Sequence, residues 1–135
     1  MKLLEEKILA EGKAVNENIL KVDSFINHQV DPMLMEQLGA ELASHFKDSG
    51  VTKVVTIESS GIAPALMTAK ALGVPMIILK KEPSKVLNEN LFQTVVTSYT
   101  KGTSYELTLS QDFISEADHV PVSYTHLTLP TTPYV

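Results

Sequence analysis

Residues 51–81, VTKVVTIESSGIAPALMTAKALGVPMIILKK, constrain the fold more than any other stretch of this chain. Lys53–Ile57 is a short run rich in β-branched residues, which suit a pleated, half-buried surface. Val74–Leu79 is apolar almost throughout, the pattern of a strand buried on both faces of a parallel sheet. Between them the sequence predicts a helix over Pro64–Leu72, with proline near its start and Gly73 just past its end. Strand, helix and strand in that order predict an α/β fold with a parallel, right-handed crossover.

The chemistry sits in the joints of this unit. Glu58-Ser59-Ser60-Gly61 is a tight loop running into the helix. A helix N-terminus presents unpaired backbone N–H groups and a partial positive charge. Ser59 and Ser60 add hydroxyl donors, and Gly61 allows close approach of an anion or a positive φ. The loop therefore suits phosphate or pyrophosphate; the alternative is a plain strand–helix turn with a serine cap. Lys80 and Lys81 follow the second strand directly. Ligands of open parallel sheets collect beyond the carboxyl ends of the strands. Loop and lysine pair are predicted to share that edge, although a lysine pair alone can be a solvated strand end.

The remaining segments frame this unit. Residues 2–11 predict a short amphipathic helix, with Leu4 and Ile8 four apart and Gly12 as its stop. Residues 19–30, ILKVDSFINHQV, read as irregular or extended. Asp31-Pro32 is a helix start, an N-cap acid followed by proline. Leu34, Met35, Leu38, Leu42 and Phe46 then form a helical stripe that ends by Gly50. Residues 82–91 are polar and turn-rich and read as a mobile loop. Gln93–Thr100 and Ser104–Ser110 alternate around Lys101-Gly102 and read as a β-hairpin, with Val95, Thr97 and Tyr99 on one run and Tyr105, Leu107 and Leu109 on the other.

Composition narrows the function classes. A chain of 135 residues fits one domain. The net charge of −5 argues against a protein that tracks nucleic-acid phosphates, though not against a phosphorylated small molecule. With no cysteine there is no thiol catalysis. No apolar run reaches the roughly 18 residues of a membrane span, and MKLLEEKILAEG does not read as a cleaved leader. The cytoplasm is the expected location. The four histidines lack metal-ligand spacing; His28 reads as structural and His45 as exposed.

Three stretches carry a resemblance: KVDSFINHQVDP (21–32), TIESSGIAPA (56–65) and VTSYTKGT (96–103). Residues 1–120 resemble the bacterial xanthine phosphoribosyltransferases, of the type I phosphoribosyltransferase fold. The resemblance implies a parallel sheet with an N-terminal purine hood, incomplete at its C-terminus. It implies conversion of xanthine and phosphoribosyl pyrophosphate to xanthosine monophosphate and pyrophosphate, with Mg²⁺ carried on the phosphoribosyl pyrophosphate and not by protein side chains. It implies xanthine contacts at Leu20 and Asn27, pyrophosphate contacts at Ser59, Ser60 and Gly61, and a basic position at Lys80 or Lys81. VTSYTKGT would be the mobile hairpin over the site. A homodimer is implied; nucleic-acid and membrane partners are not.

The resemblance stops near Val120. The family's paired acids and glycine-containing phosphate loop would follow, yet no Asp or Glu occurs after Asp118 and no Gly after Gly102. Pro121 cannot donate to a central ladder. SYTHLTLP (123–130) resembles the translation of a transposon-end adapter used in DNA library preparation. The expectation is a partial phosphoribosyltransferase domain over 1–120 and a non-native tail over 121–135 that adds nothing to the fold. Tyr124 and His126 carry no functional weight. This copy is expected to be inactive. The alternatives are a non-catalytic purine- or phosphate-binding regulator on the same fold, or a fragment with no function.

Overall fold

The protein is seen in a computed structural model that describes residues 1–81, 90–97 and 104–123. It begins with helix α1 (Lys2–Glu11), the hairpin of β1 (Lys13–Asn16) and β2 (Ile19–Lys21), and a π-helical turn over Asp23–Asn27. Helix α2 (Pro32–Phe46), β3 (Val54–Ile57), α3 (Ile62–Leu72) and β4 (Met76–Leu79) follow. A second hairpin, β5 (Leu91–Thr97) and β6 (Ser104–Ser110), precedes a short 3₁₀ turn and β7 (Val122–Ser123).

Local sequence explains most boundaries. The Asp31 carboxylate accepts from the N–H groups of Met33 and Leu34, both at 3.1 Å, and so caps α2. Helix α3 ends at Gly73, whose φ of 70° and ψ of 32° are the left-handed conformation that glycine adopts most easily. Helix α1 ends where Gly12 N–H donates to the Ile8 carbonyl at 2.8 Å.

The main sheet has the order β4-β3-β7, parallel throughout. Val54 pairs with Met76 and Ile57 with Leu79 on one side. On the other, Val55 pairs with Val122 and Thr56 with Ser123. The strand buried on both faces is β3, where Val54, Val55 and Thr56 are all buried, while β4 is half-buried. This corrects the expectation from Val74–Leu79, because β4 has only one full neighbour in the described sheet. Among the described residues the backbone pairing that joins the hairpin β5–β6 to it is the antiparallel bridge between Lys80 and Thr108.

Two apolar clusters flank the crossing of α2 and α3. Phe25, Leu34 and Met35 form one, with Leu4, Ile8, Ala63 and Met67 packed against them. Val54, Ala65 and Ala69 form the other, between α3 and the sheet. At the crossing the helices touch through Gly39: a β-carbon there would lie 2.5 Å from the Met67 carbonyl carbon. Phe46, expected in the α2 stripe, is exposed. In the hairpin Leu107 is buried and Val95 is 67% exposed.

The expectation that nothing after Val120 joins the sheet fails at its first residues. Pro121 lacks a donor but not an acceptor, and its carbonyl accepts from Val55 N–H at 3.2 Å. It enters an edge strand, where proline is tolerated. The mobile loop read over 82–91 falls mostly on 82–89, which lies outside the described residues, as do Tyr99, Lys101-Gly102, Tyr124, His126 and the rest of 124–135.

Candidate functional site

Because β3, β4 and β7 run parallel, their carboxyl ends lie on one edge of the sheet. The chain leaves β3 into Glu58–Gly61 and leaves β4 into Lys80 and Lys81. Glu58 N–H donates to the Leu79 carbonyl at 3.2 Å. The Glu58 carboxylate in turn accepts from the backbone N–H of Lys81 at 2.6 Å. The serine loop and the lysine pair, predicted separately, are thus tied together at the edge where ligands of such sheets gather.

Within the loop the Glu58–Ser59 peptide is cis. Ser59 is exposed, Ser60 half-buried and Gly61 buried. The Ser59 carbonyl accepts from Ile62 N–H at 3.2 Å and the Gly61 carbonyl from Ala65 N–H at 3.1 Å, which starts α3. The N-cap position falls on Gly61. Gly61 has φ −76° and ψ −12°, an ordinary right-handed conformation. The positive φ that the sequence allowed is not adopted; Gly61 opens an eleven-residue helix at the positive end of its dipole.

The lysines differ. Lys80 is held by its backbone, donating to Thr108 at 3.1 Å and accepting from Thr108 N–H at 2.9 Å, while the residue is exposed. Lys81 is half-buried. Sequence reasoning passed over Glu58 as a functional residue. Its signal was an acid directly before the serines at a strand end, where a carboxylate can reach the neighbouring strand's exit.

The purine-side candidates stand on a different unit. Leu20 lies on β2 and Asn27 closes the π-helical turn, and both are exposed. Phe25, fully buried in the same turn, packs in the cluster that Ala63 and Met67 join. The turn therefore rests on the first two turns of α3, the helix that the serine loop opens. Polar contacts hold it from the other side. Ser24 hydroxyl donates to Glu11 at 3.0 Å, Lys7 pairs with Glu11 at 2.6 Å, and Lys7 reaches Asp31 at 3.4 Å. The Lys7 and Ser24 hydrogen bonds hold the Glu11 carboxyl below its ordinary range. The Leu34 N–H bond, followed by Lys7, does the same for Asp31, and the bond to Glu11 raises Lys7. His45 is exposed, as expected, and so is His28.

The geometry is that of a strand-end loop opening a helix, beside a separately built turn unit. Among solved structures, the adenine phosphoribosyltransferase of Giardia lamblia, complexed with 9-deazaadenine, superposes with a TM-score of 0.65 at 21% identity, covering 84% of this chain and 63% of that one. The Trypanosoma brucei adenine phosphoribosyl transferase, in complex with AMP, pyrophosphate and ribose-5-phosphate, gives 0.53 at 16% identity, covering 68% and 39%. The fold is that of the type I phosphoribosyltransferases. In sequence, the xanthine phosphoribosyltransferase of Agathobacter rectalis is 62% identical over 120 residues, 89% of this chain. The chain spans 62% of the length of that relative. No family model matches. In this phosphoribosyltransferase fold, Ser59, Ser60, Gly61, Lys80 and Lys81 share one sheet edge, whereas Leu20 and Asn27 stand on the hairpin and turn that precede α2.

Proposed function

We propose that this chain carries the purine-facing and pyrophosphate-facing parts of a xanthine phosphoribosyltransferase, the enzyme of purine salvage that makes xanthosine monophosphate and pyrophosphate from xanthine and phosphoribosyl pyrophosphate. The observation that carries the reading is the joining of the serine loop to the exit of β4 through Glu58 and Lys81, in a chain 62% identical to a relative of that name. Ser59, Ser60 and the backbone around Gly61 would take the pyrophosphate, with Lys80 and Lys81 supplying positive charge. Asn27 can both donate to and accept from the oxo and N–H edge of xanthine. Leu20 would offer an apolar contact to the ring.

Such a reaction develops charge on the leaving pyrophosphate, and the protein's part is to hold both substrates and stabilise that charge. Among the described residues no group of three acids or histidines could hold a metal ion. Mg²⁺ carried on the phosphoribosyl pyrophosphate, as the resemblance implies, would neutralise the leaving group. The reading includes a homodimer and a cytoplasmic location. No helix among the described residues is long and apolar enough to cross a membrane.

No Asp or Glu follows Asp118 in the sequence. We therefore expect no steady turnover by the 135 residues alone, since the paired acids that the resemblance assigns to the ribose hydroxyls do not occur after Asp118. The test joins this chain after Val120 to the corresponding C-terminal part of the Agathobacter rectalis relative. The chimera should form xanthosine monophosphate, and Asn27→Ala in it should raise the KM for xanthine more than that for phosphoribosyl pyrophosphate. A folded chimera without activity would overturn the proposed function. Turnover by the unextended chain, abolished by Gly61→Val, would overturn the expectation that it lacks a complete site.

A further inference from the structure

Among the described residues β7 pairs with β3 at two positions, Val122 and Ser123, too few by themselves to choose a register. A slip by one residue would send every side chain to the opposite face. Something outside the ladder must set the pairing, and just before both strands there is such a device. Asp118, 11% exposed, accepts from three donors: the Thr52 hydroxyl at 2.7 Å, Ser115 N–H at 2.8 Å and Lys53 Nζ at 3.1 Å. Lys53 also donates to the Phe113 carbonyl. Thr52 closes the circuit. Its hydroxyl oxygen accepts from His119 N–H at 3.0 Å, and its own N–H donates to the His119 carbonyl, also at 3.0 Å.

We propose that Asp118 is a register lock: it fastens the segment before β7 to Thr52 and Lys53 before β3, and so fixes the pairing of Val122 and Ser123 with β3. The contacts agree on one alignment. Thr52 and His119 are 67 positions apart, the same offset as Val55 and Val122 in the ladder. That alignment sets Val122 against Val55 and Ser123 against Thr56. The same three donors, with the Thr52 hydroxyl first, hold the Asp118 carboxyl down at about 2, so the lock is charged across the neutral range. The inference goes beyond the reading of the anion loop and does not depend on what that loop binds.

Amide hydrogen exchange on the whole chain tests it. Val55 N–H donates to Pro121 on the β7 side, and Val54 N–H donates to Pro75 on the other. In Asp118→Ala, exchange at Val55 should rise by about tenfold while Val54 stays within about twofold of wild type. Thr52→Val removes one leg of the lock at less risk to folding and should shift the Val55 to Val54 ratio in the same direction. An unchanged ratio in both variants, whether the two amides speed up together or not at all, would overturn the proposal.

Discussion

Gly39 is the residue on which the packing of the two long helices turns. A β-carbon there would meet the Met67 carbonyl carbon at 2.5 Å and the Thr68 nitrogen at 2.7 Å, both backbone atoms that cannot swing aside. Gly39→Ala is therefore expected to force α2 and α3 apart, at a cost of about 1–3 kcal/mol. The check is the urea midpoint of the variant against wild type, and an unchanged midpoint would contradict the account. Gly73 could be read in advance, because a glycine just after a helical stretch announces a left-handed end from local sequence alone. Gly39 could not: the atoms that require it belong to another helix. Asn27 and Leu20 show the same limit. Asn27's place was implied by resemblance, while the turn it closes is anchored by Phe25, buried in a cluster with Leu34 and Met35 of α2.

At the scale of elements, the parts with strong local signals were legible. Asp31-Pro32 opened α2, Gly12 and Gly73 closed α1 and α3, and the β-branched and apolar runs became β3 and β4. Strand β1 was missed because Lys13–Asn16 is exposed throughout and shows no apolar alternation; its clue was the Asn16 side chain, which accepts from Asn18 N–H at 2.9 Å in the turn. The strand β7 was missed because proline was weighed as a lost donor and not as an acceptor on an edge. Several elements are pinned by carboxylates, and this gives a pH dependence of definite sign. Glu11, Asp31 and Asp118 all titrate lower folded than their ordinary values, so each contributes stability that is present above the unfolded value. That stability is lost as pH falls through the folded value. The urea midpoint should therefore fall steadily between about pH 4.5 and about pH 2. A midpoint that holds constant over that interval would show that these contacts do not hold in solution.

At the scale of the whole molecule, the two apolar clusters meet across α3, one on each side of it. That helix packs the purine-side turn with its first residues, the sheet with Ala65 and Ala69, and opens from the serine loop. Its N-terminal turn is the one place where fold, loop and turn unit converge. The central claim is that the anion site lies there and at the exit of β4, and backbone chemical-shift mapping with pyrophosphate tests it most directly. On adding pyrophosphate with Mg²⁺, the amides of Ser59, Ser60, Gly61, Lys80 and Lys81 should shift together and saturably, and Gly61→Val should abolish the response. Saturable shifts confined to any other part of the chain, or an undiminished response in Gly61→Val, would contradict it.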